Sequence, residues 1–384
     1  MTLLAATAVA SGGPPTARRT VAILGSPTRT SDHLARIWRR HGIDAVVLAP
    51  ADARARLGRG DVCVVRLDVL PTLDGVEPGL EVAAALERDG VRVLNTPSAL
   101  LAMHDKLRTA RALAAAGVAT PRTVHVTEAT DAEQLPLPGV LKPRYGSWGR
   151  DVERYTTRVE RDAALRWAQT RAWWSRHGAI AQELVDTAGS DMRVIVAAGR
   201  VIGSGARVAR PGEWRTNVSL GAELVTREAP APVVSAALRA VAAVGADLAG
   251  VDLLDGPDGW VVLELNGAVD FDQRYAVHGE DLAVAVADAL ALPADLTRPN
   301  GSEETMPKQM QGEPARVGDV IEITGHAVGD APRLAEILEV LGEPGHEHFH
   351  VRWEDGHESI FFPGEDARIV RPPKPRGKRK PAAG

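Results

Sequence analysis

One stretch of the chain decides the fold, because it combines a turn signal with a strand that ends in polar residues: Asp252-Leu-Leu-Asp-Gly-Pro-Asp-Gly-Trp-Val-Val-Leu-Glu-Leu-Asn266. The Asp-Gly-Pro-Asp-Gly segment in its middle predicts a turn that joins two antiparallel strands in a hairpin. Because successive strand side chains point to opposite faces, Glu264 and Asn266 share one face, whereas Leu263 and Leu265 point to the other. If the hairpin closes at this turn, Asp252 on the partner strand reaches the face of Glu264.

The polar face of the hairpin predicts a metal site. Asp252, Glu264 and Asn266 offer two carboxylates and an amide carbonyl, which are hard oxygen ligands that suit magnesium, with manganese as an alternative ion. A magnesium ion held by two carboxylates typically takes its remaining ligands from a nucleotide polyphosphate. The alternative for the hairpin considered alone is the solvated outer face of an antiparallel sheet. Other parts of the chain favour the metal site.

Two further segments contain residues suited to a nucleotide. Lys142 ends an apolar strand and is followed by the loop Arg144-Tyr-Gly-Ser-Trp-Gly-Arg150. An ammonium group beside a glycine-containing loop meets phosphate oxygens while backbone amides close over them. The apolar strand 179–185 ends in Gln182 and Glu183, which suit an adenine edge and a ribose. The simpler alternatives are a hairpin loop for the first segment and an edge strand with a solvated end for the second.

Arginine residues supply the third group of candidates. A guanidinium aimed into a cleft holds a transferring phosphoryl group, because its planar fork donates two parallel hydrogen bonds. The candidates are Arg193, which follows Asp191, then Arg207, and Arg215 in Trp214-Arg-Thr-Asn217. Any one of them alone is more often part of a surface ion pair.

Taken together and in this order, the motifs resemble the ATP-grasp superfamily and, within it, the RimK-like amino-acid ligases. The resemblance covers residues 98–296 and, more loosely, the segment before them. The Gly146-Ser-Trp-Gly-Arg150 loop is most similar to ligases that modify a carrier protein in lysine or arginine biosynthesis, and Glu213-Trp-Arg-Thr-Asn217 is equally similar to the ribosomal-protein glutamate ligase. The motifs that carry the resemblance are Asp105-Lys106, Ala116-Gly-Val-Ala-Thr-Pro121, Gly146-Ser-Trp-Gly-Arg150, Gln182-Glu-Leu-Val185, Asp191-Met-Arg193, Trp214-Arg-Thr-Asn217, Gly250-Val-Asp252 and Glu264-Leu-Asn266.

This resemblance implies a role for each matched residue. The implied catalytic residues are Arg207, Arg215 and Asn217, and the implied metal ligands are Asp252, Glu264 and Asn266. The implied ATP-binding residues are Lys106, Lys142, Gly146, Ser147, Trp148, Gly149, Glu183, Leu184, Asp191, Arg215, Thr216 and Asn217.

The implied reaction joins a carboxylate to an amine at the expense of ATP. The carboxylate attacks the γ-phosphate, and an amine captures the resulting acyl phosphate. The partners are then an amino acid or other carboxylate and an amine acceptor, a small acidic protein included. The family's usual continuation after Asn266 is replaced by Gly267-Ala-Val-Asp-Phe271, which is more similar to the carrier-protein branch.

Two other functions compete with a RimK-like ligase. The first is a nucleotide-binding ATP-grasp module that acts as a non-catalytic adaptor, and the second is a natural-product or dipeptide ligase with a small-molecule acceptor. The presence of both lysines and of all three candidate metal ligands argues against the adaptor.

The domain organisation follows from composition and periodicity. Alternating short β-branched runs and amphipathic segments predict an α/β domain over residues 20–97, and mixed hairpins and helices predict an α+β ATP-grasp domain over 98–296. Within it we expect one helix at 98–116 and another at 233–248. Short alternating strands predict a small SH3-like β-barrel at 314–370 that resembles a bacterial domain of unknown function. The segments expected to lack structure are the tail 1–19, the linker 297–313 and the basic tail 371–384.

Composition limits the class of protein. The 384 residues are 45% hydrophobic and 25% charged, which allows more than one globular domain. The net charge of -5 disfavours a general nucleic-acid binder. The single cysteine, Cys63, excludes an intramolecular disulfide and is typical of a reducing cytoplasm. Because no stretch approaches the ~20 apolar residues of a membrane span, we expect a cytoplasmic protein without membrane contact. A homo-oligomer is compatible with the sequence.

Overall fold

A computed structural model describes residues 19–294 together with 315–323, 333–341, 348–354, 358–361 and 367–370. Residues 1–18, the linker 297–313 and the basic tail 371–384 lie outside the described residues, so the expectations for them stay predictions. The chain divides into two compact units, residues 1–300 and residues 301–384. Within the described residues no helix is both long and apolar enough to cross a membrane.

The first unit begins with an α/β layer, as expected. Its four parallel strands lie in the order β2-β1-β3-β4. Cys63 is fully buried in β3, where loss of solvation raises the pKa of its thiol to about 12. The elements are β1 Thr20–Leu24, α1 Arg29–Arg40, β2 Asp44–Leu48, α2 Pro50–Arg56, β3 Val62–Val65, α3 Leu80–Arg88 and β4 Arg92–Leu94.

Two helices, α4 at Pro97–His104 and α5 at Lys106–Ala115, follow this layer. The prediction of one helix over 98–116 was wrong, because the chain breaks at Asp105. The Asp105 carboxylate accepts hydrogen bonds from the amides of Leu107 and Arg108 and so caps α5. Lys106 therefore becomes the first residue of a helix instead of an interior residue.

An antiparallel four-stranded sheet comes next, with strand order β5-β8-β6-β7. Two helices, α6 and α7, connect β7 to β8 in the chain. The first of them, α6, begins with a capping box formed by Thr157 and Glu160. The elements are β5 Thr123–Val126, β6 Gly139–Pro143, β7 Glu153–Tyr155, α6 Arg158–Gln169, α7 Ala172–His177 and β8 Ala179–Glu183.

A second antiparallel sheet, of five strands in the order β11-β10-β9-β12-β13, completes the first unit. The predicted helix at 233–248 was too long, because Gly245 adopts a left-handed conformation (φ 68°) that ends α8, and Leu248 already belongs to the next strand. The elements are β9 Ser190–Ala197, β10 Arg200–Val208, β11 Glu223–Thr226, α8 Ala231–Val244, β12 Leu248–Gly256, β13 Gly259–Asn266 and α9 Leu282–Ala289.

The parallel layer and the five-stranded sheet share their hydrophobic cores. Leu24 and Cys63 of the first belong to the same buried cluster as Val194 and Val251 of the second. Asn95 joins the two layers by polar contacts, because its amide donates to the Leu248 carbonyl at 2.8 Å and accepts from the Leu248 amide at 2.9 Å. The division of this unit at residue 97 stays a prediction.

The second unit is a small all-β structure, which confirms its predicted class. Its antiparallel strands lie in the order β17-β16-β15-β14-β18. Ile321, Ile337, Phe349 and Val351 form its buried core. The strands are β14 Val320–Ile323, β15 Arg333–Leu341, β16 His348–Trp353, β17 Glu358–Phe361 and β18 Ala367–Val370.

Candidate active site

The hairpin of β12 and β13 brings the three predicted metal ligands together. Asp252 lies directly opposite Glu264, and Gly250 lies opposite Asn266. The side-chain amide of Asn266 is 3.4 Å from the Asp252 carboxylate. The predicted hairpin is therefore confirmed, and Asp252 reaches the face of Glu264 as expected.

The expected orientation of Leu263 was wrong. The register of the hairpin shifts between Asp252 and Leu253, so β13 contains an irregularity at Leu263. Leu263 lines the same cavity as Glu264, whereas Val262 and Leu265 are buried in the core. A strict two-residue alternation does not hold across such a bulge.

Asp252 belongs to a buried network of alternating charges. Its carboxylate is 1% exposed and accepts hydrogen bonds from Nε and Nη2 of Arg193, each at 2.7 Å. Arg207 approaches the same carboxylate at 2.9 Å. Burial raises the pKa of Asp252, but the charges of Arg193 and Arg207 outweigh burial and hold it well below its usual range.

Asp191 extends this network and does not line a nucleotide cavity. Its carboxylate is 2% exposed, accepts a hydrogen bond from the Thr216 hydroxyl at 2.6 Å and forms a bidentate ion pair with Arg207. The implied contact of Asp191 with the ribose stays a prediction. In the structure the Asp191 carboxylate holds Arg207 and Thr216 in place.

Lys106 connects the start of α5 to the hairpin. Its ammonium donates to the Glu264 carboxylate at 2.9 Å and to the Gly146 carbonyl at 2.7 Å. The preceding Asp105 is fully buried and accepts two hydrogen bonds from Arg144, which fixes the helix start against the strand that carries the glycine-containing loop. Burial raises the pKa of Glu264, but the ammonium groups of Lys106 and Lys142 lower it below its ordinary value.

Lys142 is the last residue but one of β6 and is buried. Loss of solvation lowers the pKa of its ammonium to about 8, although the nearby Glu264 charge opposes this effect. A phosphate group beside Lys142 would stabilise its charged form.

The glycine-containing loop packs against the segment 214–219. Arg215 donates to the Gly149 carbonyl at 2.9 Å, and the Ser219 hydroxyl donates to the Trp148 carbonyl at 3.2 Å. Gly149 has φ 69°, and a Cβ atom there would lie 2.6 Å from Oδ1 of Asn217. Only glycine allows this close approach. The Trp148 side chain stays 57% exposed.

These elements enclose a first cavity of about 870 Å³, which includes its opening to solvent. Except for Asp191, every residue that the sequence assigned to ATP lines it. Apolar side chains of Val140, Leu184 and Leu254 accompany the cations Lys106, Lys142 and Arg215. The lining residues are Lys106, Val140, Lys142, Pro143, Gly146, Ser147, Trp148, Gly149, Arg150, Val152, Gln182, Glu183, Leu184, Val185, Thr187, Trp214, Arg215, Thr216, Asn217, Leu254, Leu263 and Glu264.

A second cavity, of about 810 Å³ on the same measure, adjoins the first. Ser147, Trp148, Asn217 and Glu264 line both cavities. Arg207, which the sequence assigned to catalysis, lines only the second. The other residues that line only the second are Asp68, His104, Arg193, Val218, Ser219, Asn266, Ala268, Val269 and Asp270.

Sequence reasoning missed Asp68, His104 and Asp270 in this second cavity. They come from the segment after β3, the end of α4 and the segment after β13, so no local motif unites them. The one available signal was the unusual continuation Gly267–Phe271, which contains Asp270. The described residues contain no cluster of three or more His, Cys, Asp or Glu side chains placed to hold a metal ion. The predicted metal set has two carboxylates and one amide.

Family models match most of the described chain. A model described as a RimK-like ATP-grasp domain matches residues 103–290, which include the residues of the first cavity. A second model, described as a domain of unknown function (DUF1918), matches residues 314–369.

Individual proteins similar to this chain are named as glutamate ligases. The chain is 29% identical over 237 residues to the glutamate–LysW ligase ArgX of Sulfurisphaera tokodaii, which covers 60% of this chain and 82% of that protein. It is 32% identical over 218 residues to a probable alpha-L-glutamate ligase of Xanthomonas oryzae pv. oryzae, which covers 55% and 72%.

Among solved structures, a RimK domain ATP-grasp protein from Sphaerobacter thermophilus superposes with a TM-score of 0.54. Its sequence is 22% identical, and the match covers 70% of this chain and 98% of that one. At this identity the likeness is one of fold.

Proposed function

The chain belongs to the RimK-like ATP-grasp family, and on that premise we propose that it joins the amino group of glutamate or a related amino acid to a carboxylate of a peptide, small protein or small molecule. The protein is an ATP-dependent ligase that forms a carbon–nitrogen bond between a carboxylate and an amine. We propose its substrates and the role of each residue.

The main support for the proposal is that the two cavities adjoin at Glu264, which lines both of them. The first cavity combines apolar walls with four cations, Lys106, Lys142, Arg150 and Arg215, which suits a nucleotide and its phosphates. The second combines carboxylates with two arginines, which suits an amino acid and a carboxylate. A γ-phosphate held in the first cavity would therefore meet a carboxylate held in the second beside Glu264 and Asn217.

Within the first cavity, Lys106, Lys142 and Arg215 would neutralise the phosphates. Ser147 and Gly149 of the loop would cover the phosphates, and Glu183 and Leu184 would lie beside the base and ribose. The Glu183 and Leu184 amides already donate to the carbonyls of Arg122 and Pro138, so the strand is fixed before a nucleotide arrives.

The proposed divalent ion is magnesium, with manganese as an alternative. Glu264 and Asn266 line the second cavity and offer a carboxylate and an amide oxygen, which fit such an ion. Asp252, which lines neither cavity and stays paired with Arg193 and Arg207, is the third proposed ligand. When bound, the ion would neutralise charge on the phosphate oxygens. Lys106 and the ion would then share the Glu264 carboxylate.

The proposed reaction has two steps. A substrate carboxylate oxygen attacks the γ-phosphorus, the bond to the β-phosphate oxygen breaks, and ADP leaves. The amine nitrogen then attacks the acyl phosphate carbon, inorganic phosphate leaves and the amine loses a proton. Arg215 and Asn217 would hold the transferring phosphoryl group, and the buried ion pairs would hold Arg207 and Arg193 near the substrate.

Phosphate release tests the proposal directly. The protein is incubated with ATP and magnesium, each amino acid in turn as the amine, and a panel of amino acids, acidic peptides and small acidic proteins as the carboxylate. We expect L-glutamate to support phosphate release, with a product whose mass is the sum of both substrates less one water. Release with other amines but never with glutamate or a related amino acid would contradict the proposed substrate class.

A further inference from the structure

The side chain of His104 presents an unusual buried polar atom. His104 is the last residue of α4 and is 5% exposed. Within the described part of the chain its Nε2 atom has no hydrogen-bond partner, yet the residue lines the second cavity. Buried polar atoms are rarely left without a partner, because the loss of hydration is then uncompensated.

The contact that Nδ1 of His104 makes determines whether Nε2 is a hydrogen-bond donor or an acceptor. The ring hydrogen-bonds the backbone of Leu67, and this contact falls to Nδ1 because Nε2 has none. An Nδ1–H that donates to a carbonyl leaves Nε2 with a free lone pair. Burial, assisted by the charge of Lys106, lowers the pKa of His104 to about 4, so the ring is a neutral acceptor at physiological pH.

Two carboxylates line the same cavity. The side chain of Asp270 is 73% exposed, and its carboxylate Oδ1 lies 3.8 Å from Nη2 of Arg66. Burial is the largest cause that raises the pKa of Asp68, and the nearby negative charge of Asp270 raises it further. The second cavity therefore brings two carboxyl groups to the same place as the unpartnered nitrogen of His104.

The chain after β13 passes close to His104. A Cβ atom on Gly267 would lie 3.3 Å from Nε2 of His104 and 2.5 Å from Cδ1 of Leu100. Glycine therefore lets this segment approach the helix end without a side chain that would block Nε2. The segment then continues to Asp270, which lines the cavity.

We propose that Asp68, His104 and Asp270 form the amine subsite, in which the amino group of the incoming amino acid donates one N–H to Nε2 of His104 and faces the two carboxylates. This inference rests on the proposed function, because it assigns one of its two substrates to a place. The arginines of the second cavity, Arg193 and Arg207, would face the carboxylate groups of the substrates.

Two amide variants of His104 separate a role in binding from a role in packing. The His104→Gln side chain places an amide near the position of Nε2 and so keeps an acceptor in the cavity. His104→Asn is shorter and keeps only the contact near Nδ1. With L-glutamate as the amine, we expect His104→Asn to raise the KM for L-glutamate on the order of 10-fold and to leave the KM for ATP unchanged. His104→Gln should restore most of the loss.

Two further variants complete the test. His41→Asn alters an exposed histidine of the first layer and should change neither KM. Asp270→Asn should raise the KM for L-glutamate. The chain should still fold, because the Asp270 side chain is largely exposed. This variant therefore tests the amine subsite if His104→Asn does not fold. Equal KM values for L-glutamate in the wild type, Asp270→Asn and any folded His104→Asn would overturn the subsite. No glutamate turnover by the wild type would instead overturn the proposed function.

Discussion

The ammonium of Lys106 lies 2.9 Å from the carboxylate of Glu264, although 158 positions separate the two residues in the chain. This contact joins the start of α5 to the last strand of the five-stranded sheet. Glu264 also lines both cavities, so the same carboxylate stands where the proposed phosphates, metal ion and substrate carboxylate meet.

Glu264→Gln tests the metal assignment. The amide keeps the shape of the side chain but removes the negative charge that would hold the divalent ion. Without the ion the negative charge of the phosphoryl group is not neutralised, so we expect turnover to fall by at least about 100-fold. Steady-state phosphate release measures this. Glu223→Gln, on the exposed edge strand β11, is the matched control and should keep full turnover. Undiminished ATP consumption by Glu264→Gln would refute the metal assignment.

Arg215→Ala tests the proposed contact with the transferring group. Arg215 forms an ion pair with Glu213 at 2.8 Å and lines the first cavity. We expect turnover to fall on the order of 10²–10³-fold, with little recovery in Arg215→Lys because an ammonium lacks the bidentate fork.

Arg274→Ala is a closely matched control, because Arg274 also pairs with a carboxylate two residues earlier, Asp272, but lines neither described cavity. It should keep full turnover. Surface pairs of this kind contribute about 0–1 kcal/mol to stability. A lowered melting temperature with intact turnover in Arg215→Ala would refute its catalytic role.

Arg207→Met tests the buried network. The change leaves two buried carboxylates, Asp191 and Asp252, without a shared cation, and removing one partner of a buried pair costs about 3–5 kcal/mol. Urea denaturation measures the free energy of unfolding. Arg54→Met removes an exposed pair with Asp89 and should cost about 0–1 kcal/mol. A loss below about 1 kcal/mol in Arg207→Met would contradict the account.

Lys142 makes ATP binding sensitive to pH. Its pKa in the folded chain is about 8, below its ordinary 10.5, so the ammonium loses its proton as the pH rises through about 8. We expect ATP affinity to fall over that range in the wild type. Lys142→Met should bind ATP on the order of 10-fold to 100-fold more weakly at pH 7 and lack this pH dependence. Binding is measured by titration calorimetry.

The stability of the ligand-free protein should change in the opposite direction. Between pH 8 and 10.5 the unfolded chain holds the Lys142 proton more tightly than the folded chain. Stability therefore rises with pH across that window relative to Lys142→Met. Identical pH profiles of the two proteins, for binding and for stability, would show that Lys142 is not perturbed.

Local sequence patterns predicted the parts of the site that lie on one element or one hairpin. Strand alternation placed Glu264 and Asn266 on one face, and the turn brought Asp252 opposite Glu264. The bulge at Leu263 was not predictable, because alternation assumes a regular strand. Asp105 carried the signal of a helix cap, but the apolar residues on both sides of it favoured one continuous helix.

The ion pairs required the register between strands that are distant in the sequence. Asp191 lies opposite Arg207 in the pair of β9 and β10, whereas Asp252 lies opposite Arg193 only because β12 pairs with β9. The sequence marked Arg193 and Arg207 as candidates for phosphate contacts, Asp191 as an ATP-binding residue and Asp252 as a metal ligand. It did not indicate that these residues neutralise one another in ion pairs.

Transfer of an oxygen atom from the substrate carboxylate to the released phosphate would show that the carboxylate attacks the γ-phosphorus of ATP. A carboxylate that supports turnover in the substrate panel is prepared with ¹⁸O in its carboxyl group and incubated with ATP, magnesium and L-glutamate. Because the carboxylate oxygen attacks the γ-phosphorus and later leaves with it, the account predicts one ¹⁸O atom in each released phosphate and unlabelled ADP. Ligated product with unlabelled phosphate, or with label in AMP, would contradict it.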